Sequence, residues 1–220
     1  MTDAPLWRAG ARDKQVTGIV VLISGRGSNM RSLVEHQLPV RAVVSNRAEA
    51  AGLAFARDRG IPALALDHRA YSSRESFDQA LTELIDRYHP EAVILAGFMR
   101  ILSVGFVRHY EGRLINIHPS LLPAFAGLDT HARALKAGVK VHGATVHFVT
   151  PDLDAGPIIV QAAVPVRPDD SEATLAARVL AQEHRIFPLA VQWLLGGQLR
   201  IDKGVVHVAG NPPQWMFNAS

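Results

Sequence analysis

The chain has 220 residues, of which 48% are hydrophobic and 20% charged, with no cysteine and a formal net charge of +3. That length and apolar share suit one full α/β domain with a proper core, and the lack of cysteine excludes disulfides, thiolate metal sites and a cysteine nucleophile. The 23 Lys and Arg lie scattered, with no run of like charge, which argues against a nucleic-acid groove and for single arginines that meet one phosphate or carboxylate.

Residues 17–23 form a continuous apolar, β-branched run ending in Ser24-Gly25, the pattern of a buried parallel strand and far too short to span a bilayer. Residues 1–16 lack the layout of a secretory signal and read as a short tail. With the absence of cysteine, this fits a cytoplasmic protein that does not enter a membrane. After Arg26-Gly27-Ser28-Asn29, helical spacing begins at Met30, Leu33 and Val34. A second strand follows at 40–44, a helix from Ala48 to Arg59 stopped by Gly60, and a third strand over 61–66. Ser72-x-x-Glu75 reads as a capping box opening a helix to about Tyr88. Pro90 breaks that helix, and Ala92 to Ala96 is a fourth buried strand. Strands alternating with helices imply right-handed βαβ units and a parallel sheet.

The second half changes character. Leu114 to His118 is a short strand, and Val141 to Val149 alternates like an edge or antiparallel strand. Residues 158–166 resemble its partner across the turn from Pro151 to Pro157, and a long helix runs from Glu172 to about Leu195, ended by Gly196-Gly197. The expected fold is α/β, a Rossmann-like, mostly parallel sheet flanked by helices with an antiparallel extension in the C-terminal half. One domain is expected over 17–205, with tails at 1–16 and 206–220.

In an open parallel sheet, ligands bind at the carboxyl ends of the strands, and three features fall there. Ser24-Gly25-Arg26-Gly27-Ser28-Asn29 joins a strand to a helix, so its amides suit an anion, with Ser28 and Asn29 as expected helix caps. The dinucleotide fingerprint fails, because Met30 stands where a third glycine is needed and the second strand ends in Asn46 rather than an acid. A mononucleotide phosphate fits better. Asn116 and His118 lie two apart on a strand and so share a face, just before Pro119. Two donors aimed at one point suit the oxyanion of an acyl-transfer intermediate; a hydrogen-bonded strand end is the alternative. Asp152-Leu153-Asp154-Ala155-Gly156 is either a solvated turn or a source of one carboxylate, Asp154 by preference, which folds over His118 and favours its charged form. His142 and His147 are five apart on a strand and face opposite sides, which argues against a shared metal.

Five ordered blocks, VVLISGRGSN, LAGFMRILS, NIHPSLLPAF, GATVHFVTPDLDAGPII and RVLAQEHRIFP, resemble the phosphoribosylglycinamide formyltransferases over about 19–200. The resemblance implies transfer of formyl from 10-formyltetrahydrofolate, a co-substrate, to a nucleotide amine, with no metal. It implies an N-terminal half for the nucleotide phosphate and a C-terminal half for folate and catalysis. Asn116, His118 and Asp154 would be catalytic, with His147 a supporting histidine. Gly27, Ser28 and Asn29 would hold the phosphate, and Glu183 the ribose hydroxyls. Arg74, Met99, Arg100, Ile101, Leu102, Asn116, Thr150 and Asp154 would contact the folate. Leu180 stands where several relatives carry a polar or basic residue, and Arg26 is the candidate compensating charge.

The partners expected are small molecules, with a homo-oligomer left open by the strand at 141–149. A 10-formyltetrahydrofolate hydrolase shares the Asn–His–Asp set, but only about sixteen residues precede the first strand, where that group carries a further domain. Methionyl-tRNA formyltransferases add a C-terminal RNA-binding domain not seen here. A non-enzymatic nucleotide-binding module would leave Asn116, His118 and Asp154 without a task.

Overall fold

A computed structural model describes residues 18–218; the tail expected at 1–16 lies outside them. Strand β1, Ile19–Ile23, is buried at every position. Ile19, Val21 and Ile23 join one core cluster and Val20 and Leu22 the other, as alternation across a two-faced sheet requires. The parallel neighbours of β1 are β2 (Val40–Ser45) and β4 (Ala92–Leu95). Outside β2 lies β3 (Ala63–Ala65), also parallel.

On the other side, β5 (Leu114–His118) is parallel to β4, and β6 (Val141–Phe148) and β7 (Ile158–Pro165) follow antiparallel. The sheet order is β10-β7-β6-β5-β4-β1-β2-β3, closed at one edge by β10 (Trp215–Phe217), parallel to β7. Strand order therefore reverses at β1 and β4, and the crevice for a ligand opens beyond their carboxyl ends.

Helices α1 (Ser28–Glu35), α2 (Ala51–Asp58), α5 (Thr130–Ala137) and α6 (Glu172–Leu195) cover one face, and α3 (Arg74–Asp86) and α4 (Val104–His109) the other. α3 is capped one residue later than the sequence suggests. Ser73 accepts from the Ser76 amide and the Ser76 hydroxyl returns to Ser73, so serine, not Glu75, completes the box. α4 and α5, six and eight residues long, carry too few turns to show a period and were not anticipated.

Residues 206–217 are not a tail. β8 (Leu199–Asp202) and β9 (Val205–Val208) form a hairpin whose Lys203 and Gly204 have φ of 48° and 80°. Two successive left-handed residues close a two-residue hairpin turn, and Val206 and Val208 alternate inward.

Pro188 sits inside α6. Without an N–H it leaves the carbonyl of His184, four residues back, with no helical donor. The Ser32 hydroxyl of α1 donates to that carbonyl at 3.0 Å. α1 is thereby pinned to α6.

Candidate active site

Asn116 pairs with His147 across β5 and β6. The His147 Nδ1 lies 2.8 Å from the Phe148 carbonyl, which can only accept, so Nδ1 carries the proton and Nε2 is an acceptor. The Asn116 amide nitrogen donates to Nε2 at 3.2 Å. Burial depresses the His147 pKa, outweighing the Phe148 carbonyl and Asp154, and a neutral ring is what this bond needs. His147 thus fixes the Asn116 amide with one N–H spent and the other free for a ligand.

His118, two residues on, is buried. Its Nε2 donates to the Phe125 carbonyl at 3.1 Å, and its Nδ1 lies 3.5 Å from Asp154 Oδ2. The Nε2 therefore carries a proton, and the Asp154 carboxylate stands beside Nδ1 as a counter-charge for the ring. Asp154 Oδ2 also accepts from the Gly127 amide at 2.8 Å, while Oδ1 stands 3.9 Å from His147 Nε2. Asp154 holds φ 51°, a left-handed conformation that aspartate tolerates better than most residues. Two residues later a Cβ at Gly156 would run into the Phe148 carbonyl, so only glycine lets this turn tuck under the end of β6. The structure therefore brings together Asn116, His118, His147 and Asp154.

Sequence reasoning missed the groups that hold them. The segment after Pro119 is clamped by Thr145, whose hydroxyl donates to the Ser120 carbonyl at 2.7 Å and accepts from the Leu122 amide at 3.0 Å. Gln161 donates to the Leu122 carbonyl at 2.9 Å, and the Ser120 hydroxyl to the Ala124 carbonyl at 2.7 Å. These bonds set where the Phe125 carbonyl and Gly127 amide meet His118 and Asp154. Thr145, inward-facing beside a strand end rich in polar residues, was the one available signal.

Behind the segment, the rings of His131 and His142 meet edge to face at 5.3 Å. Burial pushes His142 down from 6.5 to about 4, and the nearby His131 adds to the shift. The folded value lies below the unfolded one, so below about pH 6.5 the unfolded chain binds the proton first and stability is lost as pH falls towards 4, by up to about 3 kcal/mol. Urea unfolding at pH 7 and pH 4.5 should show this drop, and His142→Gln should shrink it without abolishing it, since burial lowers His147 and His131 as well.

Beside Asn116 and His147 opens a cavity of about 120 Å³, walled by Leu95, Phe98, Arg100, Ile101 and Leu102 on one side and residues 149–154 on the other. The Thr150 hydroxyl donates to the Asp152 carbonyl at 3.3 Å and braces that turn. Met99 stands outside the wall, 62% exposed, and Arg74, the first residue of α3, is exposed and does not line the cavity. A wider cleft of about 450 Å³ between α3 and α4 touches none of the residues expected to act.

On the other side of the crevice, α1 starts from Gly27, at φ 71° and ψ 32°, with no side-chain cap on the helix. Ser28 and Asn29 are not the caps expected. Ser28 is the first helical residue, and Asn29 turns to α6, where its amide donates to Glu183 Oε2 at 2.6 Å. Burial raises the Glu183 pKa, against the lowering effect of Asn29. The first-turn amides of α1 thus face the crevice uncapped, an arrangement suited to an anion. Arg26 is exposed and Leu180 half-buried. Among the described residues no group of three or more His, Cys, Asp or Glu is arranged to hold a metal ion, and no helix is long and apolar enough to cross a membrane.

The formyl transferase family matches residues 17–191. The phosphoribosylglycinamide formyltransferase of Escherichia coli (strain K12) is 50% identical over 204 residues, which cover 89% of this chain and 96% of that protein. The trifunctional purine biosynthetic protein adenosine-3 of Bos taurus is 47% identical over 83% of this chain, a stretch that makes up 19% of its length. Among solved structures, the phosphoribosylglycinamide formyltransferase of Coxiella burnetii, in complex with CHES, superimposes with a TM-score of 0.87 at 44% identity, covering 92% of this chain and all of that one. Glycinamide ribonucleotide transformylase 1 of Symbiobacterium toebii gives 0.86, also at 44% identity. With its reversed strand order, its Asn–His–Asp convergence and matches of this extent, the chain belongs to the formyl transferases and, among them, to the phosphoribosylglycinamide formyltransferases.

Proposed function

We propose that this protein transfers the formyl group of 10-formyltetrahydrofolate to the amine of phosphoribosylglycinamide, giving N-formylglycinamide ribonucleotide and tetrahydrofolate. The observation that carries the reading is the meeting of Asn116, His118 and Asp154 between an uncapped helix start and an apolar-walled cavity. The nucleotide phosphate takes the amides of Gly27, Ser28 and Asn29, and Glu183 accepts from the ribose hydroxyls. The folate lies in the cavity along residues 100–102 and the turn from Thr150 to Asp154, with Met99 at its rim and Arg74 further out towards the glutamate end.

The amine nitrogen forms a bond to the formyl carbon, and the bond from that carbon to N10 breaks. Between the two steps the formyl oxygen is an oxyanion. The free N–H of Asn116 and the Nε2–H of His118 are its assigned donors. His118 then exchanges the neutral Phe125 carbonyl for a charged acceptor, a stronger bond made only as charge develops. Asp154 balances the charge on the ring; His118 passes a proton to the leaving N10, and the proton that the attacking amine gives up restores the ring.

The test is turnover of 10-formyltetrahydrofolate with and without phosphoribosylglycinamide, followed by tetrahydrofolate release. Formyl loss should require the acceptor and match formylated nucleotide one for one. Comparable turnover without the acceptor would instead indicate transfer to water.

A further inference from the structure

Ser24, where β1 turns into the glycine loop, is 5% exposed. Its hydroxyl donates to Asn46 Oδ1 at 2.6 Å and accepts from the Met99 amide at 2.8 Å. Its own amide donates to the Gly97 carbonyl at 3.1 Å. One side chain thus ties together the ends of β1, β2 and β4, where the strand order reverses. Asn46 is itself anchored, since its carbonyl lies 3.1 Å from His68 Nδ1. Downstream of Ser24 run Gly27 to Asn29; across its hydroxyl lies the segment from Met99 to Leu102.

We infer that Ser24 is a positioning residue, whose hydroxyl sets the spacing between the loop that holds the nucleotide phosphate and the loop that holds the folate. This rests on the assignment of those two loops under the proposed function. Alanine would leave the Asn46 oxygen and the Met99 N–H without their partner. The 97–99 turn, with Gly97 at φ 77°, would lose one of its two ties to the first strand. Each loop would keep its own contacts to its own substrate. What changes is the offset between them, and with it the approach of amine to formyl carbon, where a misplacement of about 1 Å costs on the order of 10²-fold in rate.

A purely structural hydroxyl would lower stability and leave kcat of the folded enzyme alone, so the readout is a split between rate and affinity. In Ser24→Ala, kcat should fall about tenfold or more, while the binary Kd values for phosphoribosylglycinamide and for tetrahydrofolate stay within about threefold of the parent. Ser24→Cys, which keeps the shape but is a weak donor and acceptor, should fall in between and serves if the alanine variant does not fold. A kcat within about twofold of the parent in the folded variant overturns the inference. So does a loss of kcat matched by an equal loss in one Kd, which would make Ser24 the servant of one loop only. Two controls separate this failure from failure of the site assignment. Glu183→Gln, at the group assigned to the ribose hydroxyls, should weaken the nucleotide alone and Ile101→Asp the folate alone. If neither shifts its Kd, the assignment falls and the inference with it; if both do and Ser24→Ala turns over normally, the inference alone falls.

Discussion

Alanine in place of His118 is expected to lower kcat by about 10²–10⁴-fold while the protein still folds. The polar partners of the ring are the Phe125 carbonyl and the Asp154 carboxylate, and neither carries the architecture. The 120–126 segment stays clamped through Thr145 and Gln161, and Asp154 keeps the Gly127 amide. The loss should therefore appear in kcat with KM for either substrate little changed, the signature of an interaction made in the transition state. Steady-state kinetics alongside a melting curve check this. Near-normal turnover would remove His118 from the reaction.

The second large effect is expected from Asp154→Asn, about 10²–10³-fold in kcat. Asparagine matches the aspartate in size and, like it, tolerates the left-handed φ of 51°, so the turn should survive. Its oxygen can still accept from the Gly127 amide. The charge is what disappears. The oxygen that accepts from Gly127 is also the one that faces His118, so the amide nitrogen takes the Oδ1 position on the His147 side and a positive ring is left without a counter-charge. The ring then gives up its charge more readily, and without that charge the Nε2–H is a weaker donor to an oxyanion. Unchanged melting with a much lower kcat is the expected result, and a rate close to the parent's would show that the ring needs no counter-charge.

The site residues differ in how they could be read from sequence. Asn116 and His118 were legible because a strand repeats every two residues and Pro119 marks its end. β1 and the glycine loop were legible because a fully apolar run ending in Ser-Gly has few other uses. α6 was expected from Glu172 to about Leu195 and runs over Glu172–Leu195, since two glycines follow it. Asp154 was preferred over Asp152 for the small pair Ala155-Gly156 beside it, but nothing local shows that its carboxylate reaches His118. The Phe125 carbonyl and Gly127 amide had no signal at all, because every residue has those groups and only the tertiary path aims them.

Asn29 and Glu183 illustrate the same limit at long range. Both were singled out, one as a helix cap and one as a ribose acceptor, yet their bond spans 154 positions of chain and no local pattern announces it. β10 was lost for a different reason. A three-residue edge strand depends almost wholly on its neighbour β7 for definition, and its own composition, with Trp215 and Phe217 facing outward, resembles a tail. The short α4 and α5 had too few turns to show a period, and α5 has no side-chain cap to announce it.

A proline in the middle of a 24-residue helix looks like a defect, but here it works as a gauge. With an N–H restored at position 188, the His184 carbonyl would have a donor within its own helix and would no longer depend on Ser32. That bond lies one residue from Glu183 and three from Asn29, so α1 and α6 meet at two adjacent points. On the proposed reading, one helix grips the phosphate and the other the sugar. The pyrrolidine ring then keeps a caliper at one opening, matched to the distance between the two ends of a ribose phosphate.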